Sequence, residues 1–255
     1  MYMKINRYLG VFSIFMLLSC VIAGTGYGNQ ESFPDFLGDD PVETDYLDDS
    51  LEDAIYDPLE PMNRLFFKFN DTLYDWVVKP TTDGYSWIFP YELRKGFGSF
   101  FENLAMPIRL INSILQGDLE KTGVVMERFL INSTLGVWGL VDVADEEFDI
   151  KPKRADFGQT LGKWGLGEGI YFCWPVIGPS NARDSVGLVA DAYAHPMRYI
   201  NDDRAFLVSY YITTRLNKLS LNPDVYEDLR RFSLDPYIAA RQAYYDYRRT
   251  LVDNK

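Results

Sequence analysis

The sequence predicts a mainly α-helical protein, and three observations carry that prediction. Apolar side chains recur three, four and seven positions apart over residues 62–77, with charged residues on the opposite face, as in an amphipathic helix. Pro107, Asp118 and Pro236 each open a further stretch with a residue that favours a helix start. No stretch sustains the two-residue alternation of a half-buried strand.

The first residues predict a secretory signal followed by a lipid anchor. Lys4 and Arg7 precede an apolar run over residues 8–18, which is shorter than the about 20 residues of a spanning helix and typical of a signal peptide. The run ends at Cys20 in a Leu-Leu-Ser-Cys sequence that resembles the bacterial lipobox. An ordinary signal peptide with an incidental cysteine is the alternative. We predict that Cys20 is acylated and holds the protein on a membrane.

Acidic residues separate a tether from the body of the chain. Residues 20–57 hold 11 acidic and no basic side chains, whereas residues 58–255 hold 26 acidic and 23 basic ones. Charge of one sign with few apolar residues is typical of disorder. The sequence therefore predicts a signal peptide over residues 1–19, an acidic disordered tether over residues 20–56 and a single domain over residues 57–255. The nearly neutral domain has no basic field for nucleic acid.

Within the domain, helix signals predict the first elements in order. One helix covers residues 62–77 and ends at Pro80, and residues 81–106 form turns with a short helix near residues 91–96. A second helix runs from Pro107 to residue 116, where Gly117 ends it. Asp118 caps a third, which extends to about residue 135. Its inward face is predicted to hold five side chains: Leu119, Met126, Phe129, Leu130 and Ser133.

A glycine-rich stretch over residues 157–187 follows. Seven glycines lie among large apolar side chains, and each glycine inside a helix costs about 1 kcal/mol relative to alanine. We predict a shaped, apolar hairpin loop whose backbone approaches another group closely. Ser180 is predicted to cap a helix that ends near residue 193. His195-Pro196 then breaks the chain before the last helices.

Few residues in this sequence could perform catalysis. His195 is the single histidine, and no carboxylate is placed near it by the sequence, so we predict a structural role for it. The nucleophile elbow, zinc-protease and phosphate-loop motifs are missing. Ser180 is better explained as a helix cap than as a nucleophile. Cys173, the one cysteine besides Cys20, is predicted to be a buried apolar side chain. We therefore predict a protein that is not an enzyme, without metal or cofactor.

Several sequence blocks in register resemble one family. They span most of residues 57–250 and read DPLEPMNR at 57–64, QGD at 116–118, RFLINSTLG at 128–136, DFGQTLG at 156–162, LGEGIY at 166–171, PVIGPSNARD at 175–184 and DPY at 235–237. Together they resemble the MlaA (VacJ) outer-membrane lipoproteins. The match is specific because the blocks occur in order along nearly the whole domain.

The resemblance implies a fold and a function. The expected fold is a single ring-like helical domain that lies in the inner leaflet of the outer membrane of a Gram-negative bacterium, lipid-anchored on the periplasmic side. The expected function is removal of mislocalised phospholipid from the outer leaflet through an amphipathic channel to a periplasmic lipid-carrier protein, beside a trimeric porin, which maintains lipid asymmetry. A periplasm-facing lipoprotein hydrolase and a structural membrane anchor are the alternatives.

The same resemblance directs the prediction of site residues. The glycine-rich loop is expected to line or gate the channel through five residues: Trp164, Gly165, Leu166, Gly167 and Gly169. Phe69 and Asn70, on the first helix, are expected to affect lipid flow through the contact of the ring with the leaflet. Arg183 either binds a headgroup phosphate, with which a guanidinium pairs bidentately, or forms a structural pair with Asp184.

Overall fold

The computed structural model describes residues 55–201 and 203–253. The signal peptide, Cys20 and nearly all of the tether lie outside the described residues, so the predictions made for them stay predictions. Within the described ranges, no helix combines the length and the apolar character needed to cross a membrane.

The described residues are mainly helical, which confirms the predicted fold class. The first half contains α1 (Glu60–Leu73), a π-helical turn (Tyr74–Val78), α2 (Lys79–Ile88), α3 (Tyr91–Leu104), α4 (Met106–Leu115), α5 (Leu119–Thr134) and α6 (Val143–Glu146). The second half contains α7 (Phe157–Lys163), β1 (Tyr171–Trp174), β2 (Gly178–Asn181), α8 (Ala182–Ala194), α9 (Met197–Ile200), α10 (Arg204–Leu221), α11 (Asp224–Phe232) and α12 (Pro236–Asp253).

The predicted first helix is present, but Pro80 does not end it. The π-helical turn joins α1 to α2 without a break, and the Lys79 N–H donates to the Tyr74 carbonyl five residues back. Pro80 lies in the first turn of α2, where its missing N–H is tolerated. The helical path therefore continues to Ile88.

Residues 81–106 form two helices, so the prediction of turns in this region was wrong. Glycines 96 and 98 lie inside α3 because other elements approach them. A Cβ atom added at Gly98 would lie 3.3 Å from Leu221 Cδ1, and one at Gly96 would lie 3.2 Å from the Leu140 carbonyl oxygen. Close packing, against α10 at Gly98 and against the Leu140 backbone at Gly96, offsets the local cost of these glycines, which is about 1 kcal/mol each.

The ends of α4 and α5 agree with the prediction, whereas the predicted inward face of α5 is wrong. Gly117 has φ of 70°, and Asp118 accepts a hydrogen bond of 2.9 Å from the Lys121 N–H. Leu119 is 84% exposed and Leu130 is 55% exposed, and Met126 is exposed as well, while Phe129 and Ser133 are half-buried. The buried side chains of α5 are instead Val125, Arg128 and Asn132.

The glycine-rich stretch is not one loop. It contains α7, an exposed loop over residues 164–170, the β1–β2 hairpin and the start of α8. Glycine is tolerated in α7 and α8 because the two helices nearly touch: a Cβ atom at Gly187 would lie 2.3 Å from the Gly158 nitrogen. Asn181, rather than the predicted Ser180, caps α8 by accepting from the Asp184 N–H at 2.7 Å. The break at His195-Pro196 is confirmed.

The antiparallel hairpin packs into an aromatic core and is held by two asparagines of α1. Asn63 donates to the Tyr171 carbonyl oxygen at 3.2 Å and accepts from the Cys173 N–H at 2.9 Å, as a neighbouring strand would. Asn70 donates to the Trp174 carbonyl oxygen at 2.9 Å and accepts from the backbone of the turn. Cys173 is buried as predicted, and burial raises the pKa of its thiol to about 12. The buried core cluster comprises Tyr171, Cys173, Tyr237, Tyr244 and Tyr245.

Asp57 joins the beginning of the described chain to its last helix. Its carboxylate accepts from Asn63 Nδ2 at 2.8 Å and from the Arg241 guanidinium at 3.1 Å. The Tyr237 hydroxyl donates to the same carboxylate. The first residues of the domain are therefore fixed by α12, on which Arg241 lies 184 positions after Asp57.

Candidate functional site

Besides the aromatic core, many buried side chains of the domain are polar, and many of its large apolar side chains are exposed. Buried side chains include Asn63, Asn103, Asn112, Arg128, Asn132, Gln159, Arg183, Asn217 and Arg248. By contrast, Trp87 is 88%, Trp76 80% and Trp138 78% exposed. Contiguous apolar surface beyond a few hundred square ångströms marks contact with lipid or with a protein partner. On α5 the buried face carries Arg128 and Asn132, and the large apolar side chains Leu119, Met126 and Leu130 are exposed on the other side. The predicted inward face was therefore wrong.

A cavity of about 520 Å³ lies among α3, α4, α5, α6, α7, α8, α10, α12, β2 and the segment before α7. Its lining is densely charged. The basic side chains are Lys95, Arg109, Arg128, Arg154, Arg215, Lys218 and Arg248, and the acidic ones are Glu102, Asp142, Asp145, Glu146, Asp156, Asp184 and Asp191. A site of this size is within the roughly 300–1,000 Å³ of known ligand sites.

One wall is built by Arg128 on α5. Its guanidinium pairs with Asp142 at 2.6 Å and also donates to the Ile150 carbonyl. Asn132, one turn later, donates to the same carboxylate at 2.8 Å and accepts from the Ala144 N–H at 2.9 Å. These bonds fix α6 and the following segment against α5. The Asp142 carboxylate balances the charge of Arg128.

A second wall is built by Arg248 on α12. Its guanidinium contacts Asp156 and Asp184, each at 2.7 Å. Burial would raise the pKa of Asp156, but the charge and hydrogen bonds of Arg248 lower it below its ordinary value. Tyr244 donates to Asp184 at 2.6 Å, and Arg183 pairs with Asp184 at 3.0 Å. The network joins α7, α8 and α12.

A third part of the lining is rich in basic side chains. We call Arg109, Arg154, Arg215 and Lys218 the basic cluster. Arg109 pairs with Glu102, and Arg154 donates to the Tyr247 hydroxyl at 3.2 Å. Burial would raise the pKa of Glu102, but the charges of Arg109, Lys218 and Arg154 lower it to about 2. Burial, and then repulsion by the surrounding arginines, lowers the pKa of Lys218 well below its ordinary value.

His195 and Ser180 also line the cavity, but they are not brought together as a catalytic pair. His195 Nε2 lies 3.2 Å from the Tyr210 hydroxyl, its Nδ1 accepts from the Met197 N–H at 3.3 Å, and burial lowers its pKa to about 4. The Ser180 hydroxyl lies 3.0 Å from that of Ser185. In the part of the chain that the structure describes, no group of three or more potential ligands could hold a metal ion.

The predicted loop residues lie outside the cavity lining. Trp164, Leu166 and the intervening glycine are exposed, with Trp164 Nε1 donating to the Leu115 carbonyl at 2.9 Å. Gly165 and Gly169 have φ of 89° and 72°. Asn70 contacts the β1–β2 turn, whereas Phe69 is exposed. Arg183 is buried beside Asp184 and is absent from the lining. The predicted roles of these residues stay predictions.

Sequence reasoning missed the charged residues of the cavity. They come from helices and segments far apart in the chain, so no spacing rule groups them. One local signal was available on α5, where Val125, Arg128 and Asn132 lie three and four positions apart and therefore share a face. Placing that face inward would have predicted both the cavity wall and the apolar exterior.

These features define a class: a helical protein with a cavity lined by charged side chains and with many large apolar side chains exposed on its surface. A family model described as MlaA lipoprotein matches residues 55–251, and the chain belongs to this family. It is 33% identical over 195 residues to the intermembrane phospholipid transport system lipoprotein MlaA of Escherichia coli K12, covering 74% of this chain and 75% of that protein.

Other relatives extend the comparison. The MlaA lipoprotein of Haemophilus influenzae is 32% identical over 193 residues, covering 74% of this chain and 76% of its own length. A protein of Rickettsia bellii is 33% identical over 226 residues, covering 83% of this chain and 87% of its own. A solved structure, described as the structural basis for maintenance of bacterial outer membrane lipid asymmetry, matches with a TM-score of 0.68 and 29% identity over 77% of this chain and 99% of that one.

Proposed function

We propose that this protein is an outer-membrane lipoprotein that removes mislocalised phospholipid from the outer leaflet and thereby maintains lipid asymmetry. In this proposal phospholipid passes through the charged cavity, as through a channel, to a periplasmic lipid-carrier protein. Cys20 carries the lipid anchor, residues 20–56 form the tether, and the apolar exterior lies in the inner leaflet beside a trimeric porin. No bond of the lipid is broken, so the protein acts as a transporter and not as an enzyme.

The observation that carries this proposal is a cavity with charged side chains in its lining, in a domain that exposes many large apolar side chains. A phospholipid has a charged headgroup and two acyl chains, and exposing two chains of about 16 carbons to water would cost roughly 20 kcal/mol or more at about 0.8 kcal/mol per CH₂ group. In this proposal the headgroup occupies the cavity of about 520 Å³, whose lining includes charged side chains. The exposed tryptophans and leucines provide the surface that acyl chains prefer. The names of the relatives support the same function.

Filling the cavity tests the proposal. Ala243 lines the cavity on α12, and the neighbouring Gln242 is exposed. Ala243→Trp should leave the protein in the outer membrane and reduce its capacity to clear outer-leaflet phospholipid about tenfold. Gln242→Trp, which adds an equally large side chain outside the cavity, should clear phospholipid like the wild type. Clearance is measured as surface phospholipid accessible to a lipid-modifying enzyme.

Mass spectrometry of lipid that co-purifies with the full-length protein adds a second measurement. The proposal predicts bound phospholipid in the wild type and less in Ala243→Trp. If the two tryptophan variants clear and bind phospholipid equally well, the cavity is not the path. If no phospholipid co-purifies, a purely structural anchor becomes the better explanation.

A further inference from the structure

Asp191 is a carboxylate of the cavity lining that is held in place by neutral groups. It lies half-buried on α8, and among the described residues it forms no ion pair. Its two oxygens accept from Asn112 Nδ2 on α4 and from the Phe157 N–H at the start of α7, both at 2.9 Å. These donors orient the carboxylate without balancing its charge. Because a carboxylate can accept about four hydrogen bonds, Asp191 can still accept from a further donor.

The two carboxylates closest to this position along the cavity wall are paired, in contrast to Asp191. Asp156 and Asp184 each contact the Arg248 guanidinium at 2.7 Å, and Arg183 pairs with Asp184 at 3.0 Å. These two guanidinium groups are therefore engaged by two carboxylates. Asp191 adds a third negative charge to this part of the lining, and a charge removed from water is costly unless an opposite charge joins it.

The titration of Asp191 agrees with its surroundings. Burial raises the pKa of its carboxyl group to about 6, although the hydrogen bonds from Phe157 and Asn112 oppose this rise. The charge of Asp156 raises this pKa further, and the charge of Arg248 lowers it. A cation bound beside Asp191 would favour the charged form of the carboxylate.

Gln159 supplies a second acceptor in the cavity lining. Its side chain is 1% exposed, and its Nε2 donates to Asp156 Oδ2 at 2.8 Å, which fixes the orientation of the amide. Its Oε1 is buried and has no hydrogen-bond partner among the described residues. Gln159 follows Phe157 by two positions, so this acceptor and the N–H that binds Asp191 belong to the same turn of α7. Buried acceptors are normally paired, and an N–H group of a ligand would satisfy this one.

We propose that Asp191 and Gln159 form a subsite for the primary ammonium group of an aminophospholipid headgroup. This inference rests on the proposed function and deepens it, because the subsite makes the transporter selective among phospholipids. A primary ammonium group carries one positive charge and three N–H donors, which suit an unbalanced carboxylate and an unpaired amide oxygen. Leu188, one turn before Asp191 on α8, also lines the cavity. A free amine shares the charge and the donors but lacks the rest of the lipid.

Affinities for defined lipids test the subsite. The probes for the detergent-extracted full-length protein are phosphatidylethanolamine, phosphatidylglycerol with the same acyl chains, and free ethanolamine. Phosphatidylglycerol has the phosphate but no ammonium group. We expect the wild type to bind phosphatidylethanolamine at least fivefold more tightly than phosphatidylglycerol. Asp191→Asn removes the charge at nearly constant size and should bring the ratio of the two affinities close to one.

A second variant tests the same ratio without changing the carboxylate. Leu188→Lys leaves Asp191 and its two hydrogen bonds in place and adds an ammonium group one turn away on the same face of α8. This tethered ammonium group should occupy the subsite and also bring the ratio close to one. If Asp191→Asn does not fold, as judged by circular dichroism, Leu188→Lys decides the question.

Asp71 supplies the matched control. It is half-buried like Asp191 and also has two partners from a distant helix, because the Tyr226 hydroxyl donates to it and Arg230 pairs with it, each at 3.0 Å. It lies outside the cavity lining. Asp71→Asn should therefore keep the ratio of the two affinities within twofold of the wild-type ratio.

Three outcomes would count against the inference or its basis. Equal affinities of the wild type for the two lipids, or a preference that survives in both Asp191→Asn and Leu188→Lys, would overturn the subsite and leave the proposed function to its own test with Ala243→Trp. Free ethanolamine that binds as tightly as phosphatidylethanolamine would overturn the assignment to a lipid headgroup. Binding of neither lipid would contradict the proposed function itself.

Discussion

At the scale of single residues, burial disfavours the charged form of Lys218 and lowers its pKa. A base whose folded pKa is lowered binds fewer protons in the folded state than in the unfolded state, so its cost is fully present at low pH and disappears as the pH rises towards the unfolded pKa of about 10.4. Lys218→Met should therefore raise the free energy of unfolding by about 1 kcal/mol near neutral pH and by less near pH 10.

Urea unfolding in detergent at the two pH values measures this effect. Lys121→Met is the control: it also removes a lysine whose pKa burial lowers, but it breaks the 3.0 Å hydrogen bond from Lys121 to Gln116, so we expect no gain in stability. Lower stability of Lys218→Met at neutral pH would contradict this prediction, because it would mean that Lys218 makes a net favourable contribution to the folded protein.

His195 provides a second prediction at this scale, with its sign set by burial. Its folded pKa is about 4, against about 6.5 in an unfolded chain. Between these values the unfolded chain binds a proton that the folded protein does not, so the stability due to His195 falls as the pH falls from 6.5 to 4. His195→Gln should lose less stability over this window, as measured by urea unfolding.

Asp191 does not disturb that comparison. Burial raises its pKa to about 6, so its own contribution to stability falls as the pH rises towards 6, in both proteins. The difference between the wild type and His195→Gln therefore isolates the histidine. Identical pH profiles of the wild type and His195→Gln would contradict the prediction, because they would mean that His195 is accessible to water in the folded protein.

At the scale of elements, two glycines of the loop over residues 164–170 differ in the backbone conformation that they adopt. A Cβ atom at Gly167 would meet nothing within 4 Å, and its backbone is not left-handed, whereas Gly165 has φ of 89° and any side chain there adds strain. Gly167→Val should therefore fold normally and restrict the loop. If the loop gates or lines the path, this variant should impair phospholipid clearance several-fold, seen as detergent sensitivity.

Gly123, on α5, is the control for this substitution because a Cβ atom there also meets nothing within 4 Å. Gly123→Val should leave detergent resistance at the wild-type level. A Gly167→Val variant that resists detergent like the wild type would reduce the loop to a connector between α7 and the hairpin.

The elements also show where sequence reasoning succeeds and fails. Asp118 and Gly117 set the ends of two helices through local chemistry, so they could be predicted. Gly158 gave no such information, because a Cβ atom there would lie 2.5 Å from Asp184 Oδ1 and 2.8 Å from Arg248 Nη2, and no local pattern contains these distant side chains. The charged lining of the cavity could not be predicted for the same reason, since its side chains come from distant parts of the chain and meet only in the folded structure.

At the scale of the whole molecule, the apolar exterior makes a prediction that does not depend on the lipid anchor. The chain after Cys20, exported behind an ordinary cleavable signal, should still associate largely with membranes, because the exposed tryptophans prefer lipid to water. Membrane flotation measures the bound fraction. Trp87→Glu together with Trp138→Glu should release a larger share, and a fully water-soluble unanchored chain would contradict the proposed position in the leaflet.

The bonds of Asp57 have a consequence for the order in which the protein is assembled. Asp57 is among the first described residues, yet its partners Tyr237 and Arg241 lie 180 and 184 positions later. Contacts between such distant residues require the closure of a long loop and form slowly. In a chain that emerges from its N-terminus, the contacts of Asp57 can therefore form only after α12 has emerged. Until then the apolar faces of the earlier helices are exposed and need protection from aggregation.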